Sequence, residues 1–278
     1  MVDLQGQYKK IRWQVNREIK KVLKSATFIN GPIVKEFELN LKDFLGTKNV
    51  IPCANGTDAL QIALMSLGLE KGDEVITTNF SFASTIEVIL LLGLKPILVD
   101  IDSKTFNIDP TLIEKRITSK TRAIIPVHLY GQSANMDPIL SIAKKYKLQV
   151  IEDASQAHLA EYRGKMVGGL SNISSWSFYP GKNLGAWGEA GGITTNDEKL
   201  FNYSEKYINH GSSKKYFHDL IGHNYRMSEF QAAVLIEKMK YLNHWTDLRR
   251  ANAKKYNERL TGTENICIPH ESPDCKHV

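Results

Sequence analysis

Short apolar runs that alternate with helix-length segments constrain this chain more than any other feature of its sequence. Asn49–Cys53, Glu74–Thr78, Pro96–Asp100, Ala123–His128 and Leu148–Glu152 are each short for a helix and rich in Val and Ile. Helical patterns fill the gaps, from Asn55 to about Leu67, from about Ala83 to Leu92, and over Pro138–Lys147. Ile173–Tyr179 and Gly192–Thr195 read as two further strands. This alternation predicts an α/β fold, with a parallel or mixed sheet covered by helices on both faces. Ahead of it, Tyr8, Ile11, Val15, Ile19, Val22 and Leu23 recur at helical spacing, Gly31-Pro32 breaks the run, and residues 33–45 resume it. Behind it, Ser228 to Leu260 reads as helix with Ser228 as N-cap, and a polar tail runs from Thr261 to Val278.

The 278 residues suffice for one large domain, or one domain and part of another. A formal charge of +6 favours solubility and suits an anionic small ligand. No dense Lys/Arg block is present, which argues against nucleic acid. Cys53, Cys267 and Cys275 are widely spaced and form neither a metal pattern nor a disulfide framework, as in a reducing compartment. The opening MVDLQGQYKK has no apolar signal region, and the longest apolar run, Val88–Leu94, is too short for a bilayer. A soluble, cytoplasmic protein with no metal and no membrane partner is the expectation.

Four local signals fall in loops after predicted strands, where open α/β sheets bind ligands. Asn55-Gly56-Thr57-Asp58 opens a helix directly after a strand; its free N–H groups could hold a phosphate, or Asn55 could simply cap. Asp153 ends an apolar strand and needs a positive or donating partner, either a protonated ligand nitrogen or a helix it caps. Lys182 sits in the Pro/Gly turn after Ser177, merely exposed or, held in a pocket, a nucleophile towards an aldehyde. Asn224-Tyr225-Arg226-Met227 precedes the last helix and could be an ordinary loop.

Taken together and in order, these stretches resemble the DegT/DnrJ/EryC1/StrS family of sugar aminotransferases, which depend on pyridoxal 5'-phosphate (PLP). The matching segments are VDLQGQY, NGTDAL, TTNFSFAST, PVHLYGQ, IEDASQAH, SFYPGKNLGAWGEAGGI and GHNYRMSEFQAAVL, spread from Val2 to about Tyr256. The resemblance implies the large domain of a fold-type-I PLP-dependent transferase, over residues 1–240 with the N-terminal helices. Residues 241–278 would then begin a small C-terminal domain that is largely missing. It implies that Lys182 is the Schiff-base lysine and Asp153 the partner of the pyridinium. Gln156 lies by the phenolic oxygen, Phe82 stacks on the ring, and Gly56, Thr57 and Ser177 bind the phosphate. Asn224 reaches the phosphate from the neighbouring subunit of a homodimer with shared sites.

The implied reaction moves an amino group, from glutamate in most of the family, to a keto group at C3 or C4 of a nucleotide-linked deoxyhexose. By position in the family, the resemblance implies that Tyr216 and His218 help line the sugar site, against a plain surface loop, and His128 and His158 are read as packing residues. Trp187 departs from the family in being bulky. With the small domain absent, the last helix is expected to leave Leu235, Ile236 and Leu242 exposed. Two alternatives stand beside the enzyme: a non-catalytic regulatory relic of the fold, and a PLP-dependent sugar dehydratase, which carries histidine where this chain has Lys182.

Overall fold

A computed structural model describes residues 2–278. In chain order the strands are β1 (Asn49–Cys53), β2 (Glu74–Thr78), β3 (Lys95–Val99), β4 (Thr121–Ile125) and β5 (Gln149–Asp153). A small hairpin, β6 (Glu161–Tyr162) and β7 (Lys165–Met166), is followed by β8 (Ile173–Ser177) and β9 (Gly191–Thr195). A second hairpin, β10 (Ser212–Lys214) and β11 (Phe217–His218), and a last strand, β12 (Cys275–Lys276), complete the set. The helices are α1 (Leu4–Ser25), α2 (Pro32–Leu45), α3 (Gly56–Ser66), α4 (Ser84–Leu91), α5 (Pro110–Ile113), α6 (Met136–Tyr146), α7 (Glu198–Tyr207) and α8 (Glu229–Leu260).

The central sheet runs β1-β9-β8-β5-β4-β2-β3. β9 is antiparallel to both its neighbours, and every other pair is parallel. Side chains alternate across each strand, so successive residues enter different cores. On one face Ile51, Val75, Ala123, Ile151 and Ile193 pack against α3 and α4. On the other, Ile76, Ile124 and Val150 meet α6, while Val50 and Trp176 meet α2 and α8. This is the α/β architecture expected from the sequence, with a mostly parallel sheet.

β4 stops before the His128 expected of it because Pro126 has no N–H for the ladder. Pairing with β5 resumes past the proline, where the Pro126 carbonyl accepts from Asp153 N–H and His128 N–H donates to the Asp153 carbonyl. Ser228 holds the N-cap position of α8, but its side chain makes no capping bond. α7 and both hairpins lie where the sequence pattern named no element. The expected exposure of Leu235, Ile236 and Leu242 is overturned: all three are buried, at 0%, 7% and 1%. They pack against Val34, Phe37 and Leu41 of α2 and against Phe178, Leu184 and Ala186. Ile11 and Val15 of α1 then cover Val234 on α8.

Candidate active site

The register of the sheet builds the site. Cys53 and Ser177 both pair with Gly191, so β1 and β8 end side by side across the start of β9. A Cβ on Gly191 would lie 2.2 Å from the Asn55 carbonyl oxygen, so the chain after β1 passes directly over β9. One on Gly56 would lie 2.6 Å from Ser177 Cβ, so only glycine lets the N-terminus of α3 rest on β8. Asn55 caps α3, accepting from Asp58 N–H at 2.9 Å and donating to the Asp58 carboxylate at 2.8 Å. The N–H groups of Gly56 and Thr57 make no bond among the described residues. Gly56, Thr57 and Ser177 therefore share one cradle, with two free donors at the positive end of a helix. Burial, with Glu189 adding, pushes the Asp58 carboxyl up to about 6 against the Asn55 bond.

Asp153 closes β5 and is 4% exposed. Its carboxylate accepts from Thr85 Oγ1 at 3.0 Å and from Ser155 N–H at 3.2 Å. Thr85 belongs to α4, so this helix fixes the carboxylate, and the reading of Asp153 as needing a donor is met first by Thr85. Lys182 sits in a closed turn: its N–H donates to the Tyr179 carbonyl at 2.9 Å, and Ala186 N–H donates to the Phe178 carbonyl at 2.7 Å. Burial pushes the Lys182 amine below its ordinary value, while the charge of Asp153 pulls it back up. The two groups thus stand within electrostatic reach of each other.

The Gln156 side-chain oxygen accepts from Tyr130 N–H at 2.8 Å. That bond settles which end of the amide is which, and leaves its NH2 as a donor. Phe82 is 69% exposed and presents an open ring just before α4. Asn224 is exposed, with its oxygen turned onto Arg226 Nε at 2.8 Å. The next residue, Tyr225, accepts from Ala54 N–H at 2.8 Å, which anchors this stretch beside the end of β1. Tyr216 and His218 stand on the exposed hairpin of β10 and β11. Trp187 meets Tyr8 edge-on at 5.2 Å.

The two histidines are buried. His128 Nδ1 accepts from Ala134 N–H at 3.0 Å, so Nε2 carries the proton and donates to Glu152 at 3.0 Å. Glu152 and Asp153 leave β5 on opposite faces. Glu152 also accepts from the N–H groups of Gly168, Leu170 and Ser171 and from the hydroxyls of Ser171 and Ser174. Burial alone would raise its pKa, but these donors, His128 foremost, hold it below the usual carboxylate range. His158 packs between Trp176 and Phe178, at 5.3 and 5.5 Å. Neither of its ring nitrogens makes a well-formed hydrogen bond. Burial, then the charge of Lys182, pushes it down to about 3; the nearby Ser177 backbone opposes this at a geometry too poor to count as a bond.

The residues missed in the sequence are Thr85, Tyr130 and Glu152. Glu152 had a legible signal, an acid at the core-facing end of an apolar strand. The others act through tertiary contacts that no local pattern carries.

A lysine in a tight turn, a buried carboxylate and a glycine-lined helix N-terminus, gathered at the carboxyl edge of a mostly parallel sheet, define the large domain of a fold-type-I transferase. The chain belongs to the DegT/DnrJ/EryC1/StrS aminotransferase family, whose model matches residues 9–278. A pleiotropic regulatory protein of Geobacillus stearothermophilus is 47% identical over 280 residues, spanning 100% of this chain and 75% of that protein. The UDP-2-acetamido-2-deoxy-3-oxo-D-glucuronate aminotransferase of Pseudomonas aeruginosa is 45% identical over 259 residues, 93% of this chain and 72% of that protein. The crystal structure of S. venezuelae DesV in complex with a ketimine intermediate superimposes with a TM-score of 0.97 at 38% identity, covering 99% of this chain and 74% of that one.

Proposed function

We propose that this chain is a PLP-dependent aminotransferase that moves an amino group, from an amino-acid donor such as glutamate, to a keto group of a nucleotide-linked sugar. The observation that carries the reading is the cradle where Gly56 rests on Ser177, together with the buried Asp153 and the partly desolvated Lys182 at the same sheet edge. Each part suits one part of PLP. The free N–H groups of Gly56 and Thr57 and the Ser177 hydroxyl suit its phosphate. Asp153 suits a protonated ring nitrogen, the NH2 of Gln156 a phenolic oxygen, and the open ring of Phe82 an aromatic face.

PLP supplies an aldehyde that takes up amines and a ring that draws electrons from the attached carbon. The protein's own groups do the rest. Burial favours the neutral Lys182 amine, the form that attacks a carbonyl and accepts a proton on Nζ. Asp153 holds a proton at the ring nitrogen, with Thr85 fixing its carboxylate. We assign Asn224 to the phosphate of a neighbouring subunit in a homodimer. A cavity of about 920 Å³ meets the site at Tyr130 and carries Lys104, Arg249 and Arg250 on its walls, which suits a diphosphate-bearing substrate. We retain a division into residues 1–240 and 241–278, and a cytoplasmic location, which three free thiols favour.

A second reading rests on the name of the Geobacillus relative, a regulatory protein. The two are separated by adding PLP and then glutamate to the purified chain. Visible absorbance that appears with PLP and then converts with release of 2-oxoglutarate supports the enzyme. No absorbance change, or a change that glutamate leaves untouched, contradicts it.

A further inference from the structure

The helix α8 reaches into the turn that carries Lys182 at two points. Gln231 and Lys238 lie seven residues apart, about two helical turns, and so share a face of α8. The Gln231 side-chain oxygen accepts from Trp187 N–H at 3.0 Å, and Lys238 Nζ donates to the Gly185 carbonyl. Within the turn, Lys182 N–H donates to Tyr179 and Ala186 N–H to Phe178, and Leu184 and Ala186 pack in the core shared by α2 and α8. The turn has no slack at Gly185, where a Cβ would lie 2.4 Å from the Pro180 carbonyl oxygen. Both grips therefore act on the peptide groups that lead out of the Lys182 turn.

Lys238 is 0% exposed and, among the described residues, makes no salt bridge and has one hydrogen-bond acceptor. A buried amine with a single carbonyl partner is costly, and a methionine would fill the same space without that cost. Burial pushes its pKa down to about 8. α8 is itself firmly placed, because the buried Glu229 accepts from the N–H groups of Gly31, Ile33 and Val34 and so caps α2. We infer that Lys238 is a positioning residue: with Gln231 it fixes the Gly185–Trp187 segment on α8 and thereby keeps the Lys182 amine in its desolvated place.

The inference rests on the reading of Lys182 as the functional lysine, but its test needs no cofactor. Reductive methylation of the PLP-free protein, mapped by peptide mass spectrometry across a pH series, reports the midpoint at which the Lys182 amine becomes reactive. In Lys238→Met the turn loosens, Lys182 becomes more hydrated, and the midpoint should rise by about half a pH unit or more. Gln231→Ala should move it in the same direction, and serves if Lys238→Met does not fold. Ile139→Ala, which opens the separate core beneath α6, should leave it in place. An unchanged midpoint in a folded Lys238→Met or Gln231→Ala protein, or an equal rise in Ile139→Ala, would overturn the assignment. Failure of PLP to attach at Lys182 would instead sink the functional reading and leave this result standing.

Discussion

Replacing Glu152 with glutamine tests how much of the site's frame hangs on one buried carboxylate. Its Oε1 accepts four bonds, from Leu170 N–H, Ser171 N–H and the hydroxyls of Ser171 and Ser174. Its Oε2 accepts two, from His128 and Gly168 N–H. A glutamine that keeps its oxygen on the larger set turns its NH2 towards His128 Nε2–H and Gly168 N–H. His128 cannot shift its proton to relieve this, because Nδ1 already accepts from Ala134. Two buried donors are left facing a donor, at about 1–3 kcal/mol each, so roughly 4 kcal/mol together. Set against a typical net stability of about 5–15 kcal/mol, the variant should fold but be seriously weakened. Thermal melting followed by circular dichroism should show a fall of about 7 °C for a chain of this size. The pH dependence gives a second check. A carboxylate with a depressed folded-state pKa stabilises above its unfolded pKa, and that contribution is lost as pH falls through the folded value. Glu152→Gln should therefore flatten part of the acid limb of the stability curve. A variant within about 1 kcal/mol of wild type would refute the hub, since that is below the cost of even two weakly orphaned donors.

Asp153→Asn should keep the fold but bind PLP poorly or with a shifted spectrum, and glutamate turnover should fall by several orders of magnitude; near-normal turnover would reduce this residue to a local cap. His158 is held near 3 when folded and takes up a proton at 6.5 when unfolded, so stability should fall by about 1.4 kcal/mol per pH unit as pH drops below 6.5. His158→Phe should flatten that slope in denaturant titrations, and an unaltered slope would contradict the buried neutral ring. Mixing Lys182→Ala with Asn224→Ala chains under subunit exchange should restore part of the activity, because one site of the mixed dimer carries neither defect. Exchange without recovery would place both residues in the same chain's site.

The fold was largely legible because the strands of a doubly covered sheet are short and apolar, and their helices are periodic. β1 and β2 fall on the expected residues. The limits of legibility have physical causes. Pro126 ended β4 early, and the tail from Thr261 gave no hint that Cys275–Lys276 pairs with β6. The faces of α8 were misjudged at Leu235, Ile236 and Leu242, because the partners that bury them lie far away in sequence, on α2 and the Lys182 turn. At the site, loops after strands pointed to Gly56, Asp153 and Lys182. Thr85, Tyr130 and Lys238 act through contacts between distant segments, and became visible only once the sheet was assembled.

The central claim is that Lys182 is the amine that carries PLP. Borohydride reduction of the PLP-loaded protein, followed by proteolysis and peptide mass spectrometry, tests it most directly. The expected result is the cofactor's mass fixed on the peptide containing Lys182, and no fixation at all in Lys182→Ala. Fixation on any other lysine of the wild-type protein, or fixation that survives in Lys182→Ala, would contradict it.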